Sequence, residues 1–359
     1  MKAFLILEDG TIFEGTSIGV AKETISEIVF NTSMMGYLEV LTDPSYEGQS
    51  VCMTYPLIGN YGVNHEDQES SKAYVKGFIV KELAKFASNY RNEGLLNDFL
   101  IKEGVTGIEG VDTRKLTKIL RSKGTMNGMI TTNCDFKLDE ILPQIKAYKI
   151  TNAVKNVTND NKQILPGDGY KVALLDLGAK GNIEKVLNNL GCQVTIYPAF
   201  TSADEILSEN PDGIMISNGP GDPKELTSVI KEVKKLYESN VPMFAICLGH
   251  QLLALATGAD CKKLKYGHHG GNHPVRDVET KRVYITSQNH NYYVDEATLD
   301  PKVAKPLFVN VNDNTNEGLR YVGKNIFTVQ FHPEACPGPT TSSYLFDDFI
   351  KMMGGKKNA

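Results

Sequence analysis

The apolar positions follow two regimes along the chain. From residue 3 to 14 they alternate with polar ones around Asp9-Gly10, the pattern of two half-buried strands joined by a tight turn. Further strand-like runs are expected at 27–31, 37–41 and 50–55, separated by turn-rich stretches at 31–37, 42–46 and 55–62. At 112–124 the period changes to that of a helix, with Asp112 as N-cap, a basic last turn and Gly124 as terminator. Periodicity then weakens from about 133 to 170, ending in Leu165-Pro166-Gly167-Asp168-Gly169. Beyond it, near-continuous apolar runs at 172–177, 191–197, 213–217 and 242–246 alternate with helix-like segments such as 182–190. Strands covered on both faces lose their alternation, and strands alternating with helices predict an open parallel sheet. The expected fold is therefore α/β: an N-terminal mixed β/α domain (1–150), a linker (151–170) and a doubly wound α/β domain (171–355).

In such a sheet ligands gather at the carboxyl ends of the strands. The run at 241–246 reads as a buried strand and 248–257 as an apolar helix, so Cys247 occupies a sharp strand-to-helix turn. Unpaired N–H groups and the positive end of the helix dipole favour a thiolate there, and the Leu248 N–H faces the place where an oxyanion would form. A buried structural cysteine is the plain alternative. On the preceding strand, Asn218-Gly219-Pro220-Gly221-Asp222-Pro223 supplies a glycine loop suited to an oxyanion or a carboxylate; taken alone, it is a turn.

A thiolate that attacks a carbonyl carbon needs a base that later serves as acid, and an anion to orient that base. Seven histidines are available: His65, His250, His268, His269, His273, His290 and His332. Only His332 sits in a complete relay, because His332-Pro333-Glu334 follows the apolar run 326–331. Extended backbone before proline projects positions i and i+2 to one side, which brings Glu334 to His332. Two other motifs are weaker. The stretch 318–325 nearly matches a phosphate-binding loop, but Asn325 replaces the metal-binding hydroxyl and a strand-like run follows. His268-His269-Gly270-Gly271-Asn272-His273 reads as a glycine-rich loop in preference to a metal site.

Composition narrows the setting. A chain of 359 residues with 41% hydrophobic and 23% charged residues has room for two ordinary globular cores. A net charge of −5 and no long basic run disfavour nucleic acid; the basic residues at 114–123 form a solvated face or meet a partner's acidic surface. The N-terminus meets Glu8 after five apolar residues, short of a signal-peptide core, and no stretch approaches the roughly 20 apolar residues of a membrane span. A cytoplasmic location is expected. Cysteines 52, 134, 192, 247, 261 and 336 form no C-x-x-C pair, so reduced thiols and no bound metal are expected.

Cys247-Leu248-Gly249-His250-Gln251 together with His332-Pro333-Glu334 resembles the class I, triad-type glutamine amidotransferases. The segments 31–46, 112–116, 217–223 and 267–274 extend the likeness to the small-subunit family of glutamine-dependent carbamoyl-phosphate synthetases. That resemblance implies that Cys247 is the nucleophile, His332 the acid and base, and Glu334 the group that orients His332. It places the contacts to L-glutamine at Ser45, Gly219, Gly221, Leu248, Gln251, Asn289, Asn291 and Tyr292, the first of them in the N-terminal domain. It further implies ammonia passing to a large subunit that uses ATP and magnesium, with no cofactor in this chain, to make carbamoyl phosphate for arginine and pyrimidine synthesis. Relatives usually carry glycine at Asn291, often phenylalanine at Tyr292 and often glycine at Ala245; Asn291 tolerates the φ > 0 that glycine would allow. The competing readings are a different cysteine hydrolase and a non-catalytic assembly subunit.

Overall fold

The computed structural model describes residues 1–335 and 337–354; Cys336 and Gly355, the last residue of the expected second domain, lie outside them. The chain divides into two compact units, residues 1–153 with 265–270, and residues 154–264 with 271 onward.

The strands of the first unit are β1 (Lys2–Leu7), β2 (Ile12–Gly19), β3 (Thr24–Asn31), β4 (Gln49–Met53), β5 (Leu57–Ile58), β6 (Gly77–Ile79), β7 (Glu82–Leu83), β8 (Thr106–Glu109) and β9 (Met126–Thr131). β5 and β7 pair with each other, while the rest close into a barrel in the order β1-β2-β8-β6-β4-β3-β9. The turn at Asp9-Gly10 sets the β1–β2 register, with Leu5 opposite Phe13 and Gly10 at φ 84°. One apolar cluster takes a side chain from each of the seven barrel strands, among them Leu5, Phe13, Ile28, Cys52, Ile79, Ile108 and Ile130; a closed barrel of alternating strands fills its interior in this way.

Four helices accompany the barrel: α1 (Tyr37–Thr42), α2 (Leu96–Lys102), α3 (Thr113–Lys123) and α4 (Leu138–Ala147). α3 follows the sequence reading closely: the Asp112 carboxylate accepts the Lys115 N–H, Gly124 ends the helix at φ 107°, and Leu116 and Leu120 are buried. α1 corrects it, since 37–41 is helical and not a strand. Tyr37, Leu38, Val40 and Leu41 are all buried, so Glu39 alone interrupts the apolar run and marks no helical period, and Gly36 at φ 83° supplies the turn that starts the helix.

The second unit opens with α5 (Ala153–Val157). Its strands are β10 (Gln163–Leu165), β11 (Lys171–Asp176), β12 (Gln193–Pro198), β13 (Gly213–Ile216), β14 (Met243–Ile246), β15 (Asp260–Asp277, of which 265–270 count with the first unit), β16 (Val283–Asp295), β17 (Ala304–Asn310), β18 (Asn316–Tyr321) and β19 (Ile326–Val329). They form one sheet in the order β10-β12-β11-β13-β14-β19-β18-β17-β15-β16. The central five, β12-β11-β13-β14-β19, are parallel. Helices α6 (Gly181–Asn189), α7 (Ala203–Ser208), α8 (Thr227–Glu238), α9 (Leu248–Ala256) and α10 (Tyr344–Met352) complete the unit. The apolar runs alternate between two cores: Ala173, Leu175, Ile214, Ile216, Met243 and Ala245 join one, while Val172, Leu174, Met215, Phe244 and Ile246 join the other. The fold is thus a mixed barrel unit followed by a doubly wound α/β unit.

Residues 318–325 form part of β18 and the turn into β19, with Gly323 at φ 70°. No helix follows, so no helix N-terminus is present to receive a phosphate there. Residues 268–273 lie within β15 as extended strand, where a loop was expected. No helix among the described residues is long and apolar enough to cross a membrane. The five described cysteines are all free thiols.

Candidate active site

The site lies at the carboxyl ends of β14 and β19. Cys247 caps α9 with φ 52° and ψ −104°, a conformation that costs a non-glycine residue about 1–3 kcal/mol and is held only when the surroundings over-determine it. Here they do. The Cys247 N–H donates to Val329 O at 2.8 Å and the Gly249 N–H to Ser217 O at 3.1 Å, fastening the elbow to the strands on both sides. A side chain at position 249 would place its Cβ 2.6 Å from Ile216 O, so only glycine lets α9 approach so closely. The Cys247 thiol, 2% exposed, donates to Asn289 O at 3.6 Å.

β19 carries the chain into Gln330-Phe331-His332, where the His332 N–H donates to Ser287 O at 2.9 Å. His332 Nδ1 donates to Glu334 Oε1 at 2.6 Å, across a turn at Pro333-Glu334 that the Ala335 N–H closes on His332 O at 3.2 Å, where extended backbone was expected. That bond fixes the proton on Nδ1 and leaves Nε2, which meets no hydrogen-bond partner among the described residues, for chemistry. Burial by itself pulls the imidazole down, but the Glu334 carboxylate and the neighbouring Cys247 raise it to about 10. Glu334 moves the opposite way: burial pushes it up, yet Lys180 and His332 hold it down at about 2. Glu334 and Cys247 thus favour the protonated imidazole, the form with a proton to give.

Lys180 is the functional residue that sequence reasoning missed. Its Nζ lies 3.1 Å from Glu334 Oε1, with side chains 2% and 0% exposed, and donates to Ala335 O at 2.8 Å. The group is a buried charge line of Lys180, Glu334 and His332 ending at the thiol. One signal was available: Lys180 stands just past the carboxyl end of a parallel strand, where site residues of open α/β sheets collect.

The remaining expected residues are placed as follows. The loop with Gly219 and Gly221 leaves β13. A Cβ on Gly219 would sit 2.3 Å from Leu177 O, and Gly221 adopts φ 89°, so both positions exploit the bare backbone. Leu248 heads α9, its N–H among those without an intrahelical acceptor. Asn289, Asn291 and Tyr292 lie on β16, and Asn291 is not among the residues with positive φ; extended strand accommodates it without a left-handed backbone. Ala245 is fully buried in β14 without displacing it. The Gln251 amide donates to Tyr292 O at 2.8 Å and Gln330 Oε1 at 3.0 Å, which ties β16 to α9 and β19. Behind them, His290 bonds Tyr292 O and Gln288 Oε1, and Gln288 and Asn310 donate to the Glu317 carboxylate. Ser45 belongs to the first unit, where it is buried and its N–H donates to Asp43 Oδ1 at 2.8 Å.

Comparison with known proteins gives the family. The family model for the carbamoyl-phosphate synthase small chain, CPSase domain, matches residues 5–130, and that for class-I glutamine amidotransferases matches residues 173–352. The carbamoyl phosphate synthase small chain of Listeria monocytogenes is 49% identical over 357 residues, 99% of this chain and 98% of its own length. That of Clostridium perfringens is 50% identical over 351 residues, 98% and 99% of the two chains. Among solved structures, a glutamine amidotransferase from Thermotoga maritima aligns with 53% of this chain and 85% of its own, at 16% identity and a TM-score of 0.38. With both of its halves matched in order and full-length relatives near half identity, the chain belongs to the carbamoyl phosphate synthase small-chain family, glutamine-hydrolysing subunits with a class I amidotransferase domain.

Proposed function

We propose that the chain hydrolyses the side-chain amide of L-glutamine through a thioester on Cys247 and passes the ammonia to a large synthetase subunit. The observation that carries the reading is the arrangement of His332: Nδ1 fixed on Glu334 at 2.6 Å, Nε2 without a hydrogen-bond partner among the described residues, and the Cys247 thiol beside it on a strained elbow. The Cys247 thiol passes its proton to His332 Nε2 as the sulfur attacks the amide carbon, and the oxyanion that develops meets the Leu248 N–H and the backbone of the 219–221 loop. The C–N bond breaks as His332 Nε2 gives its proton to the departing nitrogen. Water then adds to the thioester, His332 takes its proton, and glutamate leaves as the Cys247 sulfur is released. Asn289, Asn291, Tyr292 and Gln251 line the glutamine on the β16 side.

The large subunit would use bicarbonate, ATP and magnesium to make carbamoyl phosphate, in the cytoplasm, for arginine and pyrimidine synthesis. The test is Cys247→Ala in the two-subunit complex. Glutamine-dependent synthesis should vanish while synthesis from added ammonia persists; unchanged glutamine use would overturn the assignment. A glutamyl adduct on Cys247, trapped by acid quench and found by mass spectrometry, separates this chemistry from that of other cysteine hydrolases.

A further inference from the structure

Asp176 ends β11 and is 2% exposed, and its side chain bonds to residues other than those expected to meet substrate. It nevertheless accepts hydrogen bonds on both carboxylate oxygens. Oδ1 takes the N–H groups of Gly178 and Ala179 at 2.9 and 2.8 Å. Oδ2 takes the Asn159 N–H at 2.7 Å, its side-chain amide at 2.9 Å and the Thr158 hydroxyl at 3.4 Å. The same hydroxyl donates to Asp176 O at 2.7 Å and accepts the Ala199 N–H at 2.9 Å. One carboxylate therefore clamps the segment that follows α5 to the loop at 177–180.

That loop reaches the active site at two places. Toward the glycine loop, the Leu177 N–H donates to Ser217 Oγ at 2.9 Å, the Lys180 N–H to Asn218 Oδ1 at 3.0 Å, and Leu177 O fills the space a side chain on Gly219 would need. Toward the triad, Lys180 Nζ reaches Glu334 and Ala335 O. Position is critical at the second place, because Lys180 is a compact charge whose pull on Glu334 depends on distance.

We propose that Asp176 is a positioning residue for amide hydrolysis, and that Thr158 and Asn159 are the latch through which it sets the 177–180 loop, Lys180 and the Glu334–His332 pair. The proposal rests on the glutaminase reading for its kinetics but not for its geometry. Each of these hydrogen bonds is donated to the carboxylate, so Asp176→Asn must aim its NH2 at other donors whichever way the amide turns.

The experiment, on the full chain in complex with its partner subunit, compares wild type, Asp176→Asn, the double variant Thr158→Val/Asn159→Ala, and Gln163→Ala. The last removes a contact to Asn159 Oδ1 and leaves the donors to Asp176 in place. Glutamine kinetics, melting temperature and the pH dependence of Cys247 alkylation by iodoacetamide are read on each. The double variant should lose about tenfold in kcat, Asp176→Asn at least as much, and KM should change far less. Their alkylation profiles should be displaced along pH, while Gln163→Ala follows wild type in every readout. Lower melting temperatures with unchanged kcat and coincident alkylation profiles would overturn the proposal and leave Asp176 a structural residue. Should wild type release no glutamate from glutamine, the function reading fails, and the alkylation profiles alone decide the latch: displaced profiles sustain it and coincident ones overturn it.

Discussion

Replacing Lys180 by methionine keeps the length and apolar body of the side chain and removes only its charge. Lys180 Nζ lies 3.1 Å from Glu334 Oε1, and neither side chain meets solvent. At an effective dielectric of about 20 such a pair attracts by roughly 5 kcal/mol, and deleting one partner of a buried pair costs about 3–5 kcal/mol. Glu334 would still hold His332 at 2.6 Å, which places the expected loss near the lower end, about 3 kcal/mol. Expressed in folding, that lowers the melting temperature by roughly 6–12 °C for a unit of this size; expressed in the transition state, it is about a hundredfold in kcat. The two readouts share the loss, so a melting curve and the initial rate of glutamate release must be taken on the same preparation. The sign of the pH effect is fixed as well. Lys180 opposes protonation of His332, which Glu334 holds at about 10, so Lys180→Met moves the alkaline limb of kcat upward. A variant melting within about 2 °C of wild type, turning over within about threefold and keeping its pH profile would refute the charge-line account.

The elbow and a second buried histidine give two further expectations. Because Cys247 sits at φ 52°, Cys247→Gly should be more stable than Cys247→Ala by about 1 kcal/mol or more, although both lack the thiol and neither turns over; equal urea midpoints would mean the elbow is unstrained. His250 is fully buried with Nδ1 on Thr328 Oγ1 at 2.7 Å, and burial pushes it down to about 3, below its unfolded value of about 6.5. The unfolded chain therefore takes up the proton first, and wild type should lose stability as pH falls from about 6.5 towards 3, by up to about 1.4 kcal/mol per pH unit. His250→Asn should flatten that slope, as urea titrations between pH 5 and 8 would register; parallel curves would show that His250 titrates alike in both states.

How much of the site could be read from the chain depended on how far each residue's chemistry shows in its local pattern. Cys247 was legible because an apolar strand and an apolar helix flank it directly, and Glu334 because it stands two residues from His332; the 2.6 Å bond forms, though across a turn at 333–334 in place of the extended backbone expected. The parallel strands were legible because burial on both faces leaves a continuous apolar run, and in β11 alternate residues do enter opposite cores. α1 was misread for a related reason: with nearly every residue buried, its apolar pattern carries no period. The closed barrel was not legible, because closure depends on pairings between distant strands such as β1 with β9, and strand patterns alone do not specify partners.

Lys180 was hidden for a different reason, and so was Asp176. Neither has a local signature, since a lysine or an aspartate near glycine reads as ordinary loop chemistry. Their meaning comes from groups 154 and 17 residues away along the chain, Glu334 for one and Asn159 for the other. A nucleophile has to stand on a recognisable turn to be exposed and activated. A residue that only holds another in place can come from anywhere the fold brings into contact with it, as Lys180 is at 3.1 Å from Glu334, so the sequence marks the attacking group far more clearly than the groups that aim it. Gln251 stands on both sides of the distinction: its place after Cys247 marked it as a glutamine contact, and its amide NH2 also holds Tyr292 O and Gln330 Oε1. In this site the residues easiest to name from sequence perform the chemistry, while the precision of that chemistry depends on polar side chains whose partners only the folded chain identifies.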